Sequence, residues 1–145
     1  MQHVTRFDWK LEHIRIVSTR PYSIRSRNLI PMPRIKEIGV PDLARILSKE
    51  DHFELIDIRT AAEIQRGVLP GAKTLAMHLV PLKLRYFSDS PRQIVVYCRT
   101  GSRSAQVCRF LNQQGINNVI SLRGGIVRWT AAGHMLDRAP SEVIR

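Results

Sequence analysis

Apolar residues in this chain come in short β-branched runs separated by amphipathic stretches and by glycine or proline turns. That alternation of strand and helix signals predicts an α/β fold from residue 35 onward, with a central, mostly parallel sheet flanked by helices on both faces. The run Ile94, Val95, Val96, Tyr97 is apolar at consecutive positions, as in a parallel strand covered on both sides. Residues 53–58 and 118–122 also read as strands. Ahead of the first of them, Pro41 suits the opening turn of a helix, Asp42 lies near its positive end, and Leu43, Ile46 and Leu47 form an apolar stripe. A second helical stretch begins near Ala61. The turn Pro70-Gly71 then leads into residues 74–77, and residues 81–87 predict a short helix. A longer helix over 104–114, capped by Ser104, ends at Gly115, which suits the residue just past a helix terminus. Gly124-Gly125 opens the last helix, and no internal repeat is visible.

Composition shifts near Pro31-Met32-Pro33, dividing the chain into residues 1–34, 35–137 and 138–145. The first segment is a basic extension carrying Arg6, Lys10, Arg15, Arg20, Arg25 and Arg27, docked or partly disordered. Its patch Ile14-Arg15-Ile16-Val17 has the composition of a strand or of a docked arm. The second segment is the one domain expected, and the third is a tail.

With 145 residues and 43% hydrophobic content, the chain can bury a core without disulfides, and two cysteines do not make a disulfide framework. Five histidines, at positions 3, 13, 52, 78 and 134, are scattered without partners at ligand spacing, so neither a metal nor another cofactor is expected. No apolar run spans a bilayer, and Met1 to Lys10 lacks the apolar core of a secretory signal; a cytoplasmic location is the expectation. The net charge of +11 attracts phosphate whatever the sequence. No nucleic-acid motif and no aromatic platform accompany it, so the expected partners are small anions rather than nucleic acid or membrane.

The chemistry concentrates in Cys98, Arg99, Thr100, Gly101, Ser102, Arg103 and Ser104. Cys98 follows the apolar run, hence it sits at the carboxyl end of a strand, the edge at which open α/β sheets bind ligands. Backbone N–H groups, a helix N-terminus and two guanidiniums converge there and favour thiolate over thiol. Cys108, on the stripe Ala105, Cys108, Leu111, reads as core instead.

These residues, with three other segments, resemble the rhodanese-like sulfurtransferase family over residues 35–136. Leu55-Ile56-Asp57-Ile58-Arg59 looks like the family's strand ending in Asp-x-Arg. Glu63 through Ala72 is similar to its Glu-x-x-x-Gly-His-x-Pro-Gly-Ala turn, with Val68 in place of the histidine. Leu122-Arg123-Gly124-Gly125-Ile126-Val127-Arg128-Trp129 is similar to its Gly-Gly turn and tryptophan-bearing helix. The resemblance implies sulfur transfer through a persulfide on Cys98, from an anionic donor such as thiosulfate to cyanide, a thiol or a sulfur-accepting protein. Arg99 is then the expected donor contact. Arg103 either shares that role or fixes the loop through a salt bridge, and Thr100, Gly101 and Ser102 supply N–H groups. Asp57 and Arg59 orient the loop rather than react. Two other readings remain: a non-catalytic module that binds an anion or a protein, and a cysteine phosphatase. The phosphatase loop, Cys-x-x-x-x-x-Arg, is one residue longer than the six-residue Cys98 to Arg103 loop, which argues against the last.

Overall fold

A computed structural model describes residues 14–17 (backbone only), 34–49, 53–140 and 143–145. Its sheet has six strands: β1 Ile14–Val17, β2 Ile35–Ile38, β3 Phe53–Asp57, β4 Lys73–Thr74, β5 Gln93–Tyr97 and β6 Val119–Leu122, in the spatial order β1-β2-β6-β5-β3-β4. Five run parallel. The exception is the edge strand β1, which pairs antiparallel with β2 in the register Ile14 opposite Ile38. The basic extension therefore contributes an edge strand to the sheet.

Along the central strands the side chains alternate between two buried layers. Ile94 and Val96 of β5 pack with Ile56, Val119, Val80 and Phe87 against the helix that follows Cys98. Val95 and Tyr97 face the other way, joining Leu55, Ile120 and Leu122 beneath Leu43, Ile46, Ile126 and Trp129. Burial on both faces is why these strands lack a polar side, and each fully buried Ile or Leu contributes about 1.5–3 kcal/mol.

The helices are α1 Val40–Leu47, α2 Ala61–Ile64, α3 Leu84–Ser88, α4 Ser102–Gln113 and α5 Gly125–Ala131, with a 3₁₀ segment Met77–Lys83 ahead of α3. Pro41 lies in the first turn of α1, whose buried face is Val40, Leu43 and Ile46. The short helix expected over 81–87 is divided, because Pro81 falls inside the 3₁₀ segment and α-helix begins only at Leu84. At the far end of α4, Gly115 adopts φ +80°. Its N–H bonds to Asn112 and that of Ile116 to Leu111, closing the helix as expected.

The start of α4 differs from expectation. Its N-cap is Gly101, at φ +98°, and Ser104 is a buried residue inside the first turn. The left-handed backbone at Gly101 turns the chain sharply after Cys98, so the helix begins two residues earlier and its first N–H groups curl around the sulfur. The tail is held at the opposite edge: Ile144 is buried, and its N–H bonds to the Thr74 carbonyl at 3.0 Å.

Candidate active site

Cys98 leaves β5 at the carboxyl end of the parallel sheet, and its side chain faces α4 together with those of Ile94 and Val96. The Gly101 N–H donates to Sγ at 3.1 Å, and Ser104 Oγ lies 3.8 Å from the sulfur. Burial pushes the Cys98 thiol up. The N–H and hydroxyl of Ser104, with the N–H groups of Gly101 and Thr100, more than offset it, so the thiol titrates below its ordinary value. These loop groups are the leading causes of the lowering, and the charge of Arg103 also interacts with Cys98. Cys108, fully buried in the same layer, is pushed up by burial and behaves as a core residue.

The cradle is held rigid from behind. Ile126 N–H bonds to the Cys98 carbonyl at 3.0 Å and Val127 N–H to the Arg99 carbonyl at 3.1 Å, so the first turn of α5 is bolted to the loop. That approach requires Gly125. A Cβ there would lie 2.4 Å from the Arg99 carbonyl oxygen and 2.5 Å from that of Cys98, and its φ is +57°. Within the loop, Ser104 Oγ bonds to the Gly101 carbonyl at 3.1 Å and pairs with Ser121 Oγ at 2.8 Å.

Arg103 is occupied. Its guanidinium forks onto Glu63 at 2.6 and 2.9 Å, tying α4 to α2. Hydrogen bonding from Arg103, helped by Thr60 and opposed by partial burial, holds the Glu63 carboxyl down at about 2. Glu63 also closes a capping box with Thr60. Of the two roles open to Arg103, the geometry therefore shows the salt bridge. Arg99 is exposed and its guanidinium has no hydrogen-bond or ion-pair partner among the described residues, while Thr100 and Ser102 lie exposed on the same loop.

Asp57 and Arg59 form a buried pair at the end of β3. Arg59 Nη2 reaches Asp57 at 2.7 Å and the Gly67 carbonyl at 2.7 Å, and Nη1 reaches the Glu63 carbonyl at 3.3 Å. The pair thus shapes the turn that carries Glu63. Val68, where the family motif has histidine, is buried and bridged to Asp137, with no imidazole to handle protons there. Two contributors were not singled out from the sequence. Glu63 was part of a turn motif, and its Thr60-x-x-Glu63 spacing was a readable capping signal. Ser121 was a single hydroxyl in an apolar strand, whose meaning depends on what faces it.

The rhodanese-like domain family matches residues 40–132. A protein named sulfurtransferase from Allochromatium vinosum is 44% identical over 101 residues, spanning 68% of this chain and 92% of the relative. The thiosulfate sulfurtransferase GlpE of Pseudoalteromonas translucida is 31% identical over 98 residues, 67% of this chain and 90% of that one. The crystal structure of a rhodanese-like domain protein from Staphylococcus aureus superposes with a TM-score of 0.61 at 28% identity, covering 70% of this chain and 97% of the other. With the Asp-x-Arg strand end, the six-residue cysteine loop and the Gly-Gly turn assembled at one edge of the sheet, and with relatives that match nearly end to end, this chain belongs to the rhodanese-like domain family.

Proposed function

We propose that the chain is a sulfurtransferase that carries a sulfane sulfur on Cys98. The Cys98 thiolate attacks the outer sulfur of thiosulfate, the S–S bond breaks, and sulfite departs with the bonding pair. The persulfide left on Cys98 is then attacked at its outer sulfur by cyanide or a thiolate, and Cys98 returns as thiolate. Throughout, the N–H groups of the loop and the first turn of α4 face the sulfur that bears the charge. Arg99, exposed and unpaired among the described residues beside the cradle, holds the anionic donor. Arg103, Asp57 and Arg59 keep the loop in shape. A cytoplasmic setting suits two free cysteines, and among the described residues no helix is long and apolar enough to cross a membrane.

The observation that carries this reading is the Gly101 N–H on Cys98 Sγ within a six-residue loop locked by α5. Intact-protein mass spectrometry tests it: thiosulfate is expected to add one sulfur atom to the wild type, cyanide to remove it as thiocyanate, and Cys98→Ser to take up none. Retained transfer in Cys98→Ser, or sulfur found on Cys108, overturns the assignment. Saturable binding of thiosulfate with no sulfur uptake would make the chain an anion-binding module instead.

A further inference from the structure

Ser121 is the one polar residue of β6, in a run that is otherwise Val119, Ile120 and Leu122, and it is fully buried, as is Ser104. It lies opposite Val96 of β5, on the face of the sheet that carries Val119, Val96 and Cys98 beneath α4. A hydroxyl in such a place is costly unless it is bonded. Its hydrogen-bond partner among the described residues is Ser104 Oγ alone, at 2.8 Å. Glu37, its neighbour across in β2, interacts instead with the charges of Arg123 and Arg109.

Counting protons fixes the direction of that bond. Each serine hydroxyl has one proton to give and two lone pairs to receive with. Among the described residues the Ser121 proton has only Ser104 Oγ to go to, so Ser121 donates and Ser104 accepts. The Ser104 proton is then left for one of two acceptors, the Gly101 carbonyl at 3.1 Å or Cys98 Sγ at 3.8 Å. While Cys98 is a thiol, its S–H fills the second lone pair of Ser104 and the Ser104 proton stays on Gly101. Once the sulfur is charged, rotation about the Cβ–Oγ bond turns that proton to Sγ. The Gly101 carbonyl is not orphaned, since the Ala105 N–H remains bonded to it at 3.0 Å. We propose that Ser121 is a positioning residue of the active site: by donating to Ser104, it leaves the Ser104 proton to the Cys98 sulfur. The bond that Ser104 receives also polarises its O–H and strengthens the bond it gives. Sγ gains charge when the thiolate forms. In the sulfur-transfer reading above, on which the second half of the test rests, it gains charge again when cyanide or a thiolate takes the outer sulfur and the S–S bond breaks with its electron pair on Sγ.

The first arm of the test needs no sulfur transfer. The pH profile of Cys98 alkylation by iodoacetamide is measured in the wild type, Ser121→Ala, Ser104→Ala and the double variant. Arg103, whose charge also bears on Cys98, keeps its Glu63 partner in all four. Ser121→Ala is expected to raise the midpoint by about half a pH unit, the cooperative share of one bond to a charged group. In the Ser104→Ala background it is expected to add nothing, because the serine through which it acts has lost its hydroxyl. In the second arm, protein loaded with thiosulfate is discharged at saturating cyanide. Ser121→Ala is expected to slow the discharge about twofold to threefold, again only where Ser104 is present. An unmoved midpoint in Ser121→Ala overturns the proposal. So does an equal shift in both backgrounds, which assigns the effect to packing around the loop, and so does, in a protein that takes up sulfur, a discharge rate indifferent to Ser121. The expected coupling in alkylation, with no sulfur taken up even by the wild type, keeps the role of Ser121 at the thiolate and overturns the sulfur-transfer reading alone.

Discussion

At Cys98 two opposing effects meet within one side chain: burial favours the neutral thiol, and the hydrogen bonds from Ser104, Gly101 and Thr100 favour the thiolate. The second wins. Ser104 contributes twice, through its N–H and its hydroxyl, and the hydroxyl is steadied by Ser121 at 2.8 Å. Ser104→Ala removes the hydroxyl while leaving the N–H, so the pH profile of Cys98 alkylation by iodoacetamide is expected to move to higher pH. The rate at neutral pH falls accordingly. Ser121 then loses its partner in a fully buried position, a cost of about 1–3 kcal/mol visible as a lower urea midpoint. An unmoved pH profile would show that backbone N–H groups alone set the thiolate.

At the scale of elements, the site is a junction of β5, α4, α2 and α5. The Glu63–Arg103 fork joins α2 to α4 across 40 residues of chain. Because Glu63 is depressed from 4.5 to about 2 in the folded protein, its stabilisation is present above the unfolded value and is lost as pH falls through that interval. Glu63→Gln is expected to destabilise by about 0.5–1 kcal/mol at neutral pH, the value of a partly exposed pair, and to flatten the acid limb of the stability profile. Chemical denaturation at several pH values measures both. Gly125 has a larger effect. Alanine there meets two carbonyl oxygens of the sulfur loop at 2.4–2.5 Å and a positive φ, so Gly125→Ala is expected to cost about 1–3 kcal/mol and to slow Cys98 alkylation by displacing the loop. Alanine at Gly71 is the control: it has the strain of φ +74° without the clash, and is expected to leave the cysteine unaffected.

For the whole molecule, β1 covers the hydrogen-bonding edge of β2, three strands away from β5 in the sheet. Deleting residues 1–30 is therefore expected to preserve Cys98 reactivity while uncovering β2. An uncovered parallel-sheet edge pairs with other chains, so the truncated protein is expected to self-associate at concentrations where the full chain does not, as read by analytical ultracentrifugation. Loss of cysteine reactivity in a folded truncation would show that the extension completes the site.

Much of this was legible in local sequence. Four consecutive apolar residues before Cys98 set the strand that delivers it, Gly115 stops the following helix, and Pro41 starts the first one, because periodicity and turn chemistry act over a few residues. The Cys98 to Arg103 spacing likewise sizes the loop. What local pattern did not resolve was which distant groups meet. Ser104 has the side chain of a helix cap, and only the left-handed turn at Gly101 makes it a buried partner of the sulfur. The roles of the two loop arginines were separated only when β3 and β5 paired and brought Glu63 to Arg103, leaving Arg99 without a partner among the described residues. Ser121 acquires meaning in the same way. Hydrogen bonds and ion pairs between segments are fixed by strand order and crossover, which are properties of the assembled sheet, whereas strands, helix ends and the nucleophile's loop are set by neighbours in the chain.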